Sequence, residues 1–417
     1  MSRRLILAMV ALSPTLILPD DLGAQARRLT LEAALRVAAS SHPDLRMAVA
    51  EVAAASGAVR SARARPNPEA TATLGPATNA DARLTSGQAG IGQTLELGGK
   101  RRFRTEEASM LESAAESRLQ RTRDLIALGV YRAFSLAVLA EERVRTATDA
   151  DSVGEALRQA AADRLRLGAG TLLELNVAAA AAARDRRNRL LAEQSLTAAR
   201  YTLQSAIGLP ASDEVQPEGP LPPSIGGGAA LDAVALVQRA LSLRPDLRAR
   251  AHELEAASRR ARLASALRWP DPAIGISAGR AEDFQVRLFT LSMPLPLWNR
   301  GVGDRAVAAA RLTQAGVEAA RARQDVEREV RVALQAYQRA AEATTAFESQ
   351  VVERLRENLD LALESFRSGK ISFFSYSTLR RDLVAARFDY LDALADLAER
   401  DYALAAAVGE RLGGSRP

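Results

Sequence analysis

The chain contains the same sequence plan twice, and this duplication constrains its fold more than any other feature. The motif Pro-Asp-Leu-Arg at residues 43–46 returns at residues 245–248, and a Pro-x-Pro motif at residues 66–68 returns at residues 270–272. Three further pairs keep the same order: residues 95–97 with 295–297, Gly168 with Gly369, and Gly208 with Gly409. The copies lie roughly 200 residues apart, far more than the ~20–50 residues of a solenoid unit. The sequence therefore predicts a domain plan that has been duplicated once.

The first 26 residues have the pattern of a secretory signal peptide. Two arginines precede the apolar run at residues 5–18, and Ala-Gln-Ala at residues 24–26 has the small-x-small pattern of a cleavage site. The apolar run is shorter than the ~20 residues of a spanning helix and contains a proline, which disfavours a retained membrane anchor. We therefore expect residues 1–26 to be removed and the mature chain to begin near Arg27.

The duplication and the composition divide the mature chain into two repeats joined by a linker. Residues 27–208 form the first predicted repeat, and residues 230–410 form the second. Residues 209–229 are rich in proline and glycine, which predicts a linker between the repeats. Residues 411–417 are expected to form a C-terminal tail.

Each repeat contains two segments with the periodicity of strands, followed by a long stretch without proline. Small polar residues alternate with apolar residues in these segments, as is typical of strands with two different faces. The strands are predicted at about residues 69–76, 86–97, 273–280 and 284–297, lengths with which a tilted strand crosses a bilayer. The proline-free stretches, residues 100–166 and 304–367, predict helices of roughly 95–100 Å at ~1.5 Å per residue.

The last predicted helix, which ends near Gly409, has two apolar seams. Leu383 and Leu397 belong to one seam, and Phe388 and Leu391 belong to the other. A helix with two seams packs between two neighbours, as it would in the wall of a cylinder. The mature chain contains no apolar run of spanning length, so insertion into a membrane would require strands whose edges are protected by closure.

The sequence offers few groups for catalysis or for binding a cofactor. Cysteine is absent, which excludes disulfides and thiolate metal sites. The two histidines, His42 and His252, are expected to be a helix-start residue and an exposed helical residue. The net charge is +6, but 56 Lys and Arg are interleaved with 50 Asp and Glu, which is weak evidence for nucleic-acid binding. We therefore expect no catalytic residue, metal site, cofactor or nucleic-acid partner.

Taken in order, these features resemble the TolC family of outer-membrane efflux proteins. The strongest local matches are residues 93–101, residues 294–301 and the glycine turns at Gly168 and Gly369, and the first two are most similar to the CzcC-type branch for heavy-metal efflux. The resemblance implies a mainly α fold with a membrane β-barrel. In the implied homotrimer, duplicated coiled-coil hairpins form an α-barrel tunnel, and four strands per protomer build a shared 12-stranded β-barrel.

The resemblance also implies a location and a set of partners. The protein is expected in the outer membrane of a Gram-negative-type cell, in contact with lipid and with a long periplasmic extension. There it would passively conduct substrates, heavy-metal cations among them, that a periplasmic adaptor (membrane fusion protein) and an inner-membrane pump of the RND type deliver. The alternative is a periplasmic coiled-coil scaffold or adaptor without a pore, which would need no membrane-length strands. An enzyme is disfavoured, because the sequence shows no set of residues arranged for catalysis.

By resemblance, the glycine turns mark the periplasmic tip at which the adaptor docks. The docking candidates carried over by position are Gly168, Thr171, Leu172, Leu173, Gly369, Ser372, Phe373 and Phe374. Glycine permits a helix reversal with positive φ, and the following Thr or Ser can cap the returning helix, so a plain turn also explains this composition. The Phe pair is unusual in a chain with 4% aromatic residues and predicts an apolar contact patch.

The tunnel mouth departs from the family pattern in one respect. The family often places acidic residues after the second turn, whereas this chain has Ser375 and Thr378 there. Glu174, after the first turn, is the acidic candidate that remains. Because a ring of carboxylates concentrates cations, its reduction lowers the cation selectivity expected of the mouth.

Overall fold

The computed structural model describes residues 27–79, 82–225, 232–281, 284–347, 358, 361–366, 368 and 370–411. The predicted signal peptide, residues 226–229 of the predicted linker, Gly369 and residues 412–417 lie outside the described residues. Within the described ranges, none of the helices combines the length and the apolar character that a membrane crossing requires.

The helices occur in the same order in the two halves. The first half contains α1 (Leu31–Ser41), α2 (Pro43–Arg63), α3 (Lys100–Arg166) and α4 (Leu172–Ile207). The second half contains α5 (Ala233–Leu243), α6 (Pro245–Ala266), α7 (Val302–Phe347) and α8 (Phe373–Val408), and residues 361–366 are also helical. Helix α3 has 67 residues, which is roughly 100 Å at ~1.5 Å per residue.

The junction between the two short helices of each half is built in the same way. Pro43 and Pro245 occupy the first turns of α2 and α6, where a missing N–H is tolerated. The Nδ1 atom of His42 accepts the Asp44 N–H at 3.2 Å, so this histidine caps a helix as the sequence predicts. Gly208 ends α4 with φ +82°, and a Cβ atom there would lie 2.8 Å from Pro43 Cδ. The long return helix therefore ends against the short-helix junction of its own repeat.

Helix α3 connects the two repeats. It contacts α1, α2 and α4 of its own half and α6 and α8 of the other half. One core cluster, which includes Val130, Phe134 and Leu203, lies between α1, α3 and α4. A second cluster, which includes Val330 and Leu404, lies between α5, α7 and α8. The elongated molecule therefore has a core in each half, and α3 spans the boundary between them.

One antiparallel sheet contains β2 (Glu69–Asn79), β3 (Ala82–Thr94), β5 (Ala273–Ala281) and β6 (Phe284–Ser292). The strands are ordered β2-β3-β5-β6 across the sheet. Strands β3 and β6 end before the predicted positions 97 and 297. After β3, the Leu97 N–H donates to the Asp271 carboxylate at 2.9 Å instead of to a strand. After β6, Pro294 and Pro296 have no N–H to donate to a ladder.

The two faces of the sheet differ in chemistry. Cross-strand register places Ala70, Ile91, Ile276 and Phe289 in one row. The neighbouring row, on the opposite face because side chains alternate, contains Thr71, Gly90, Ser277 and Leu288. We call the face that contains the first row the apolar face, and the opposite face the polar face. Ile91, Ile276 and Phe289 are exposed in the protomer, so the apolar face lacks a partner within the described chain.

The predicted linker contains a strand that its sequence does not predict. Residues Val215–Pro217 form a short strand, β4, which pairs in parallel with β1 (Arg27–Leu29). The Arg27 N–H donates to Glu214 O at 2.7 Å, and the Glu218 N–H donates to Leu29 O at 2.8 Å. Strands of three residues carry too little periodicity to be predicted.

A buried polar network fastens the rest of the described linker to the helices. Asp401 of α8 is fully buried and accepts hydrogen bonds from Ser224 Oγ at 2.7 Å and from the Ile225 N–H at 2.8 Å. The Tyr131 hydroxyl of α3 donates to Pro223 O at 2.7 Å. Burial, with the Asp401 carboxylate adding to it, raises the pKa of Tyr131. The linker is therefore held where both repeats meet.

Asp124 of α3 lies at this inter-repeat boundary and gives a pH-dependent prediction. Its Oδ1 accepts from Gln120 Nε2 at 2.8 Å, whereas its buried Oδ2 has no hydrogen-bond partner and lies 3.7 Å from Arg411 Nε. Burial raises the pKa of Asp124 above the ordinary value of 3.8. Ionisation therefore destabilises the folded state at neutral pH, and this penalty disappears as the pH falls below the unfolded-state pKa.

We expect Asp124→Asn to raise the melting temperature of the purified protein at pH 7.5 and to lose this advantage below about pH 4. Thermal unfolding at the two pH values, at one scan rate, measures the difference. Asp149→Asn, at an exposed position of the same helix, is the control and should show no such pattern. A lower melting temperature for Asp124→Asn at pH 7.5 would contradict the prediction.

Candidate functional site

The end of the molecule opposite the sheet contains the two turns that the sequence singles out. Phe373, at the start of α8, packs against Ala161 of α3 and Ala178 of α4. The turn between α3 and α4 and the turn before α8 therefore lie at the same end. Helix α3 begins just after β3, so this end, the helical tip, is roughly 100 Å from the sheet.

Gly168 reverses the chain after α3. Its φ is +74°, a left-handed conformation, and the next N–H, of Ala169, donates to Arg164 O at 2.9 Å. No other atom lies within 4 Å of the position that a Cβ atom would take. Glycine is therefore required here by the backbone conformation and not by close packing.

Substitutions at Gly168 should separate strain from bulk. Gly168→Val should cost about 1–2 kcal/mol because valine disfavours positive φ, whereas Gly168→Asn should cost less because asparagine tolerates it. Hydrogen exchange of the backbone around the turn measures the local opening. Equal exchange in the two variants would show that the left-handed conformation does not determine the choice of glycine.

A capping box begins α4 immediately after the turn. Thr171 Oγ1 accepts the Glu174 N–H at 3.2 Å, and Glu174 Oε2 accepts the Thr171 N–H at 3.4 Å. This reciprocal pair satisfies two N–H groups that a helix start leaves free. Glu174, predicted at the tunnel mouth, is half-buried and has this structural role. The Thr-x-x-Glu pattern was a sequence signal for the cap that the prediction did not use.

The second turn leads into α8 through Ser372. Its Oγ accepts the Ser375 N–H at 3.1 Å and lies 3.0 Å from Ser375 Oγ. Ser375 and Thr378 are exposed on the first turns of α8, which has no acidic residue in its first turn. Gly369, the glycine predicted for this second turn, lies outside the described residues.

The two phenylalanines do not form one exposed patch. Phe373 is 6% exposed and makes an edge-on contact with Phe366, with ring centroids 6.1 Å apart. Phe374 is 39% exposed. The expectation that both rings are available to a partner is therefore wrong for Phe373. The reason is helical geometry, because consecutive residues at a helix start point in different directions and only one can face the core.

Exposed leucines surround the first turn. Leu172 and Leu173 are exposed, and so is Leu167, with 78% of its surface accessible. Leu167 was not among the predicted site residues, although it directly precedes Gly168. Together with Phe374 these leucines define what we call the tip patch. Large apolar side chains exposed at one end of a molecule are typical of a contact surface.

A buried ion pair joins the two halves behind the tip. Arg380 Nη2 of α8 lies 2.9 Å from Asp185 Oδ2 of α4 and donates to Ala150 O of α3 at 2.5 Å. The two side chains are 7% and 11% exposed. A Cβ atom on Gly154 would lie 2.6 Å from Asp185 Oδ2, so glycine makes room for the carboxylate. We call Arg380, Asp185, Gly154 and the Ala150 carbonyl the tip clamp.

Groups for metal or cofactor chemistry are scarce. The described part of the chain contains no cluster of three or more His, Cys, Asp or Glu residues placed to hold a metal ion. His252, expected to be exposed on its helix, is half-buried in α6. The tip offers an apolar surface on a frame of packed helices.

The model of the family described as outer membrane efflux protein matches residues 34–209 and 236–410. The chain belongs to this family. The two matched stretches correspond to the two halves of this efflux protein. The structure and the family together favour the membrane channel over a scaffold without a pore.

Individual relatives agree with this assignment. The cobalt-zinc-cadmium resistance protein CzcC of Cupriavidus metallidurans is 26% identical over 368 residues, which cover 88% of this chain and 86% of the relative. A crystal structure of CusC has a TM-score of 0.77 at 21% identity and covers 91% of this chain and 92% of its own. The outer membrane protein VceC of Vibrio cholerae has a TM-score of 0.75 at 20% identity. The match covers 91% of this chain and 96% of VceC.

The predicted fold class is confirmed by these likenesses. The efflux protein is a mainly α chain with the fold of trimeric outer-membrane channels, in which an α-barrel tunnel continues into a membrane β-barrel. It lies in the outer membrane with a long periplasmic extension. The outer strands β2 and β6 of the protomer sheet are open edges, which assembly into a closed barrel pairs.

Proposed function

We propose that this efflux protein is the outer-membrane duct of a tripartite system that exports heavy-metal cations. An inner-membrane pump of the RND type would select and energise the substrate, and a periplasmic adaptor would connect the pump to the duct. The observation that carries the proposal is the tip patch, an exposed apolar surface about 100 Å from the membrane sheet.

The docking surface is the tip patch on the frame of the two turns. The exposed residues Leu167, Leu172, Leu173 and Phe374 supply apolar contact area. Gly168, Thr171 and Ser372 shape and cap the turns, and Phe373 supports Phe374 from the core. Gly369 is proposed to serve the second turn as Gly168 serves the first. An adaptor with an apolar hairpin end would fit this surface.

The proposed substrate class follows from sequence similarity. The relative CzcC is named for resistance to cobalt, zinc and cadmium, and its similarity extends over 88% of this chain. At the tunnel mouth we place Glu174, Ser375 and Thr378. Since Glu174 also caps a helix and the other two are neutral, the mouth would attract cations weakly and leave selection to the pump.

The proposed membrane contact is the apolar face of the sheet. Ile91, Ile276 and Phe289 would face outer-membrane lipid, and the polar face would line the lumen. We propose that the chain is divided into a signal peptide at residues 1–26, repeats at 27–208 and 230–410, a linker at 209–229 and a tail at 411–417.

Charging the tip patch tests the docking role. Leu172→Asp combined with Leu173→Asp should leave the trimer in the outer membrane but abolish cross-linking to the adaptor and lower zinc, cobalt and cadmium resistance to that of cells without the gene. Both leucines are exposed, so the folded protomer loses little packing.

Asn176→Asp is the matched control, because it adds charge one turn further along α4 at an exposed position without removing apolar surface. It should keep full resistance. Full resistance in the double Leu variant at normal abundance would contradict docking through this patch.

A further inference from the structure

A cleft lies where the sheet meets the helices in the first repeat. It has a volume of about 890 Å³ and opens between the end of α2, the end of β3 and the start of α3. Its lining includes Arg63, Arg65, Gln93, Glu96 and Arg101, which define what we call the junction cleft. Nothing in the proposed passage of substrate through the tunnel uses this cleft.

The junction cleft has an excess of positive charge. Its acidic residues are already paired, Glu96 with Arg104 at 2.6 Å and Glu106 with Arg102 at 2.7 Å. Arg63, Arg65 and Arg101 are exposed, and none of the three has an ion-pair or side-chain hydrogen-bond partner among the described residues. Three exposed guanidinium groups without an ion-pair partner give the cleft a local excess of positive charge, which favours an anion.

The start of α3 does not offset this charge. The first turn of α3 has no acidic residue, and no side chain caps its N-terminus. The corresponding region of the second repeat is different, because Arg268 stacks over the Trp269 ring at 5.4 Å and α7 has Asp304 in its first turn. The free charge is therefore a property of the first-repeat junction.

The position of the cleft indicates the kind of anion. Gln93, in its wall, follows Ile91 by two residues and continues the register of the apolar face. The cleft therefore lies on the side of the sheet that would meet lipid. At the same end of the sheet, after β6, Leu295 and Leu297 are exposed and Trp298 is 92% exposed. An exposed tryptophan at this end of the sheet is typical of the boundary between lipid and water, where basic residues attract anionic lipids.

We propose that the junction cleft binds the phosphate headgroup of an anionic glycerophospholipid in the periplasmic leaflet of the outer membrane. This proposal rests on the proposed membrane contact of the apolar face. Arg63, Arg65 and Arg101 hold the phosphate, to which guanidinium groups can donate in pairs. The acyl chains lie along the apolar face, so a lipid satisfies both parts of the site whereas free phosphate satisfies one.

The test is native mass spectrometry of the purified trimer with added phosphatidylglycerol or phosphatidylcholine. Wild-type trimer should retain phosphatidylglycerol at least about fivefold more than phosphatidylcholine, and Arg63→Gln/Arg65→Gln/Arg101→Gln should lose this preference. The control is Arg311→Gln/Arg323→Gln/Arg339→Gln, which removes the same charge from exposed positions of α7 and should keep it. If the triple cleft variant yields no trimer, each single Arg variant should show a partial loss.

Three results would overturn the proposal: equal retention of the two lipids by wild type, unchanged preference in the cleft variants, or displacement of phosphatidylglycerol by millimolar inorganic phosphate. These results can be distinguished from a failure of the proposed docking function. The Leu172→Asp/Leu173→Asp trimer should lose adaptor cross-linking and keep its lipid preference, whereas the cleft variant should show the reverse.

Discussion

Arg380→Ala is expected to destabilise the protein by about 3–5 kcal/mol, since it leaves the buried carboxylate of Asp185 without its partner. The carbonyl of Ala150 loses a hydrogen bond in the same step. Asp185→Ala should cost a similar amount because it leaves a buried guanidinium group unpaired. Thermal unfolding of the purified trimer, with all variants scanned at one rate, measures the loss.

Two further variants determine whether the ion pair itself is responsible. Arg380→Met combined with Asp185→Leu removes both charges and should recover much of the stability, because no unpaired buried charge remains. Arg381→Ala removes one partner of the adjacent Arg381–Asp382 pair, which is exposed, and should cost at most about 1 kcal/mol. If Arg380→Ala is as mild as Arg381→Ala, the tip clamp does not hold the two halves together.

Ile276→Arg is expected to cost about 2–4 kcal/mol in the membrane, because it places a charge on the face of the sheet that we propose meets lipid. Thr71→Arg is the matched control, since Thr71 lies one row away on the polar face, which would line the lumen. The fraction of each variant that is trimeric in the outer-membrane fraction measures the effect. It should fall for Ile276→Arg and stay near wild type for Thr71→Arg, and equal yields would show that the faces are assigned wrongly.

The overall architecture could be predicted because the sequence patterns that indicate it extend over many residues. The bounds of α3 follow from a proline-free stretch between Gly99 and Gly168, and the structure has the same bounds. The strands β2 and β5 begin at the predicted residues because Pro68 and Pro272 precede them. The three-residue strands β1 and β4 were missed because so short a pattern has no period.

The interior of the candidate site could not be predicted, because its contacts join residues far apart in sequence. Arg380 and Asp185 are each ordinary charged residues of a helix, and only the packing of α8 against α4 buries them together. The same applies to Asp401, whose partners Ser224 and Ile225 lie in the predicted linker. Contacts between residues close in sequence can be predicted, and the Thr171–Glu174 capping box is an example because it lies within four consecutive residues.

Electron cryomicroscopy of the protein in lipid nanodiscs would show whether it forms a trimeric membrane channel. We expect a threefold-symmetric particle in which β2, β3, β5 and β6 of three protomers form one barrel inside the lipid belt. The helices should continue from it as a tunnel of roughly 100 Å that ends at the tip patch. A monomeric or dimeric particle, or a sheet that lies outside the lipid belt, would contradict it.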